Sequence, residues 1–119
     1  MAYYQATITF GTPVTSVGAA LIAAGLSGAG NQPTQELRRL IIEPLRANTH
    51  TSWVNVGLAG TPPTVNATNK IKELYTPTAG SPLDQFLDMA GGSDHNIDVG
   101  EYYVQGTSGE GCTVGAFTI

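Results

Sequence analysis

Short runs of alternating apolar and polar residues, each cut off by glycine or proline, do most to limit what this chain can fold into. "AYYQATITF" (2–10) sets Tyr4, Ala6, Ile8 and Phe10 on one face and Tyr3, Gln5, Thr7 and Thr9 on the other. Period two with β-branched and aromatic residues is a strand signal, and "GTP" (11–13) ends it. "TSWVNVG" (51–57) alternates again, with Trp53 out of phase with Val54 and Val56. "KIKELY" (70–75) predicts a short strand with Ile71, Glu73 and Tyr75 in phase. In "QELRRLIIEPL" (35–45) a helical period also fits, but the Glu-Pro that follows "LII" and the turn-rich flanks favour a strand. "LDQFLDM" (83–89) fits a strand or one helical turn. Segments 11–34 and 58–69 contain the long connections.

One stretch breaks the pattern. In 16–26, Ser16 is placed to N-cap a short helix running to Leu26, with Gly28 or Gly30 as its stop. Gly18 and Gly25 would each weaken such a helix by about 1 kcal/mol relative to alanine. A loop packed by its own apolar residues is the alternative. Near the C-terminal end, "EYYVQG" (101–106) and "CTVGAFTI" (112–119) flank "TSGEG" (107–111), a pattern that predicts a hairpin with a longer loop. Together these segments predict a single all-β domain over residues 1–119. It is an antiparallel β-sandwich or small barrel, with one short helix or ordered loop near 16–26.

Charge narrows the function classes. Only 12% of residues are charged, about half the usual share of roughly 25%. Five basic residues and a net charge of −4 form no strong phosphate-binding surface, so nucleic acid is not an expected partner. The longest apolar run, "VGAALIAAGL" (17–26), is about half of the ~20 residues needed to cross a bilayer and lacks the basic flank of a signal peptide. A soluble protein made in a cytoplasm is expected, with no membrane partner. The one cysteine, Cys112, allows no internal disulfide and predicts a small buried apolar residue.

Enzyme signatures are missing where they would have to be. "GLSGAG" (25–30) lacks the spacer of G-x-S-x-G, and no Gly-Lys-Ser/Thr follows a glycine cluster. His50 and His95 have no partner at zinc-site spacing. Asp94, Asn96 and Asp98 follow the first positions of a calcium loop, yet Val99 and Gln105 stand where an EF-hand needs glycine and glutamate. A polar loop is the better reading there. Asp84 and Asp88 would share a face if 83–89 were helical, and are expected to be solvated. "NAT" (66–68) matches a glycosylation sequon in a chain with no secretory signal. No enzyme activity, cofactor or metal is expected.

The aromatic residues point elsewhere. Tyr3-Tyr4 and Tyr102-Tyr103 each put one ring on each face of a strand, so one can enter the core while the other meets a partner. The last strand is doubled in the same way, with Cys112, Val114 and Ala116 on one face and Phe117 and Ile119 on the other. The first three should face the core, and the last two should be covered by the N-terminal region or by another subunit.

Two stretches resemble small bacteriophage virion proteins. In "RRLIIEPLRANTHTSWVNVG" (38–57) a strand leads through an "ANT" turn into an aromatic strand closing on V-x-V-G. "IDVGEYYVQGTSGEGCTV" (97–114) resembles their closing hairpin, in which an I-D-x-x-x-Y-Y-V strand meets a G-T-x-G-x-G turn. The resemblance covers about a third of the chain and has no counterpart for "VGAALIAAGL". It implies a jelly-roll-like β-sandwich and a capsid cement or decoration role, with location in the virion at the capsid surface. The implied partner is the major capsid protein, and a homodimer or homotrimer is expected. Tyr3, Tyr103, Phe117 and Ile119 are the candidate subunit or capsid contacts, with Tyr3 and Tyr103 expected to be exposed. The alternative is a carbohydrate-binding module of a head fibre or tail, using Trp53 and tyrosines as stacking platforms.

Overall fold

The computed structural model describes residues 2–11, 15–30, 32–57, 70–74, 86–91 and 97–118. Its strands in chain order are β1 (Tyr3–Thr9), β2 (Thr15–Ser16), β3 (Gly28–Ala29), β4 (Gln32–Pro33), β5 (Leu37–Pro44), β6 (Ser52–Val56), β7 (Lys70–Leu74), β8 (Leu87–Ala90), β9 (Tyr102–Gln105) and β10 (Gly111–Thr118). A helix, α1 (Val17–Ala23), follows β2, and a 3-10 turn (Val99–Glu101) precedes β9. Two four-stranded antiparallel sheets form a sandwich, ordered β1-β10-β5-β8 and β2-β9-β6-β7; β3 and β4 make a separate small ribbon.

Setting that ribbon aside, the strands wind 1-8-3-6 in one sheet and 2-7-4-5 in the other. First pairs with last and second with next-to-last, the order of a jelly-roll-like sandwich. The winding corrects the expected terminal hairpin. β9 and β10 do not pair: β9 lies between β2 and β6, while β10 lies between β1 and β5. Residues 106–110 therefore cross from one sheet to the other. Turn chemistry signals a reversal of the chain, but not whether the returning strand joins the same sheet.

In the first and last strands the core takes the faces that alternation predicted. Ile8 of β1 with Phe10 just after it, Leu40 and Ile42 of β5, and Cys112, Val114 and Ala116 of β10 meet Val54, Leu74 and Val104 of the other sheet. In β7 the buried position is Leu74, while Ile71 is exposed. Tyr75 lies outside the described residues. Of the ambiguous 83–89, the described part from Leu87 on belongs to strand β8, with Leu87 and Met89 packed against the core.

Much of 11–34 is not the connecting arm that the sequence suggested. α1 is capped as expected, with the Ser16 hydroxyl accepting from the Ala19 N–H at 3.1 Å. It ends sooner than expected, because Gly25, at φ 118°, is its stop. Gly25 N–H donates to Ile22 O and Leu26 N–H to Leu21 O, each at 3.0 Å, closing a Schellman motif. Leu21 and Leu26, which flank that motif, are both buried in the core. Segment 58–69 lies outside the described residues. Among the described residues, no helix is long and apolar enough to cross a membrane.

Candidate interaction surface

The outer face of the β1-β10-β5-β8 sheet brings two of the sequence-predicted contact residues together. Tyr3 stands directly opposite Phe117 in the β1–β10 register. Their ring centroids are 4.6 Å apart, with the planes inclined at 44°. Tyr3 is half exposed and Phe117 partly buried. The cover expected over Phe117 thus comes from the N-terminal strand. Gly115, two residues before Phe117 on the same face of β10, gives the Tyr3 ring room: a Cβ there would come within 2.6 Å of the tyrosine oxygen. Ile119 lies outside the described residues.

Tyr103 corrects the expectation of exposure, since it is only 2% exposed. Val104 points into the core, which turns Tyr103 to the opposite face of its sheet, beside Asn55 in the β6–β9 register. Asn55 is buried as well. The doublet Tyr102-Tyr103 does mark two covered faces, but both are covered within this chain.

Next to the Tyr3–Phe117 pair lies an open cavity of about 400 Å³, lined by Arg38, Arg39, Ala90, Gly91 and Phe117. A bulge shapes it. Phe117 opposes Arg39 and Thr118 opposes Leu37, so Arg38 is the extra residue of β5. The bulge leaves two consecutive arginines exposed while keeping Leu37 and Leu40 buried. Gly91 N–H donates to Arg38 O at 2.8 Å and closes the far side. The sequence carried no signal for this cavity, because the bulge and the β5–β8 register that supplies Ala90 arise only on strand pairing.

Arg39 grips Asp88 of β8 through Nε at 2.9 Å and Nη2 at 2.7 Å. That fork holds the Asp88 carboxyl below its usual range, chiefly through the hydrogen bonds, and raises Arg39. Both are substantially exposed, so the pair orients the arginine more than it stabilises the fold. Asp88 is therefore ion-paired on a strand, not a bare carboxylate on a helix, and Asp84 lies outside the described residues. Arg38 makes no ion pair among the described residues. The notch offers an apolar floor and a guanidinium rim, which suits an apolar side chain flanked by a carboxylate on another protein.

A second polar cluster is structural. Asn48, 4% exposed, donates to Gly111 O at 2.7 Å and accepts from Gly111 N–H at 3.0 Å, acting as a strand partner for the first residue of β10. Alongside it, Glu110 accepts from the Thr49 N–H and Thr49 Oγ1, both at 2.9 Å, and from the His50 N–H at 3.2 Å. His50 Nδ1 lies 3.2 Å from Glu110 and 3.0 Å from Thr49 Oγ1. A nucleophilic relay needs hydroxyl and carboxylate on opposite ring nitrogens, and here both sit on Nδ1. The Cys112 thiol is buried and pushed up to about 12 by desolvation, which leaves it inert. Among the described residues no cluster of histidine, cysteine and carboxylates could hold a metal. His95, Asp94 and Asn96 lie outside them; Asp98 is exposed.

No known family, curated protein or solved structure matches this chain.

Proposed function

We propose that this protein is a bacteriophage capsid cement or decoration protein, which self-associates and binds the assembled lattice of the major capsid protein. The observation that carries the reading is the outer face of the β1-β10-β5-β8 sheet. There an aromatic pair, the exposed Tyr3 and the partly buried Phe117, adjoins a cavity rimmed by Arg38 and Arg39. Aromatic and arginine side chains are the ones enriched where proteins dock on proteins. The jelly-roll-like sandwich is also an architecture of viral capsid domains, although a fold by itself assigns no function. A carbohydrate-binding module that stacks sugar on Trp53 and tyrosines is the second reading; Trp53 is partly buried, and the exposed Tyr3 meets Phe117 at 44°, so that pair presents no shared flat surface.

Cement action follows from linkage. A protein that binds only the assembled shell raises its stability by mass action. Virions lacking this protein should rupture at a lower temperature than complete ones, and adding the purified protein should restore the difference. Equal rupture temperatures with and without it would overturn the cement reading.

A further inference from the structure

The open edges of the two sheets are not alike. β8 carries Asp88, and β7 carries Lys70, Lys72 and Glu73. β2 is two residues long. Charge and brevity are the usual ways of keeping an open edge from pairing with another chain. β1 has neither: "YYQATIT" runs for seven residues with no charge and no proline.

Its hydrogen-bonding phase is set at both ends. Phe10 N–H donates to Glu110 O at 2.7 Å and Thr118 N–H to Ala2 O at 2.9 Å. Even-numbered residues thus turn their backbone groups towards β10. By the alternation of antiparallel ladders, Tyr3, Gln5, Thr7 and Thr9 turn theirs outward. No described residue pairs with those outward groups, and all four residues are exposed.

We propose that β1 is the seat of self-association: two copies pair their β1 edges antiparallel about a two-fold axis, joining two four-stranded sheets into one. An isologous contact requires that if residue i meets j, then j meets i. Centring the axis on Ala6 sets Tyr3 opposite Thr9 and Gln5 opposite Thr7 of the second copy. That register alone engages all four outward residues of each strand in two-bond pairs. No charged side chain meets another across it. The second copy is the favoured occupant because the edge is its own complement in this register.

The inference deepens the self-associating role proposed above, and its test is separate from the virion measurement, since a monomer could still cement a shell. Sedimentation equilibrium of the purified protein should give a dimer. The double variant Q5K/T7K places lysines directly opposite one another on exposed positions, leaves the core untouched, and should weaken the dimer roughly tenfold. The variant Q5K/T7E sets opposite charges in the same places and should restore it. A monomeric wild type, a dimer indifferent to Q5K/T7K, or a failure of Q5K/T7E to recover would each overturn the β1 pairing.

Discussion

Single side chains hold the junction where the chain enters its last strand. Asn48 supplies Gly111 with both bonds of a ladder partner from 63 residues away. Gly111 O also accepts from the Leu45 N–H, so without Asn48 the buried Gly111 N–H is the group left unpaired, at a cost on the order of 1–3 kcal/mol. Glu110 adds a pH dependence. Hydrogen bonds, first of all from the Thr49 N–H, hold its carboxyl at about 2 in place of 4.5, against the opposing effect of desolvation. A depressed carboxyl contributes stability that is complete above its unfolded value and is lost as pH falls through its folded value. The contribution of Glu110 should therefore be intact above about 4.5 and should fade towards about 2. Urea midpoints of the wild type and E110Q should differ at pH 6 and converge as pH falls through that window. Parallel curves would show that Glu110 is not the titrating group. "ANTH" was visible in the sequence as a turn, but its partners were not, because they stand some sixty positions further along.

At the scale of elements, the helix shows how one residue changes meaning with its place. Counted as a residue inside a helix to Leu26, Gly25 is a weakness, and alanine there should gain about 1 kcal/mol. As the stop of α1 at φ 118°, it holds a conformation that a Cβ disfavours, and the sign reverses. G25A should lower stability by about 1 kcal/mol in chemical denaturation; a gain would mean that the helix runs on to Leu26. The cap was legible because Ser16 acts on its own neighbours. The stop was not, since several glycines in 25–30 could end a helix. Burial of Leu21 and Leu26 together favours the one that brings both to the core. The bulge at Arg38 has the same character: its cause is the pairing of β5 with β10, which no local pattern encodes.

For the whole molecule, the winding ties the sheets together. Consecutive strands β1 and β2, β5 and β6, β7 and β8, and β9 and β10 lie in opposite sheets, so neither sheet can form from one continuous stretch of chain. The two sheets should consequently melt as one unit. Far-ultraviolet circular dichroism and Trp53 fluorescence should give coincident transitions, whereas separated midpoints would mean that the sheet holding Trp53 unfolds by itself. By itself, the sequence determined the inward face of the first strand, the capped start of α1 and the inward set Cys112, Val114 and Ala116. These depend on periodicity and on neighbours a few residues apart. Only the tertiary structure decided that β9 and β10 part company, that Tyr103 is buried while Tyr3 stays exposed, and that Arg38 and Arg39 rim a cavity beside Phe117. Each of those outcomes turns on which distant strand becomes a neighbour. That choice is made by the burial of the whole core at once, not by any segment's own preference.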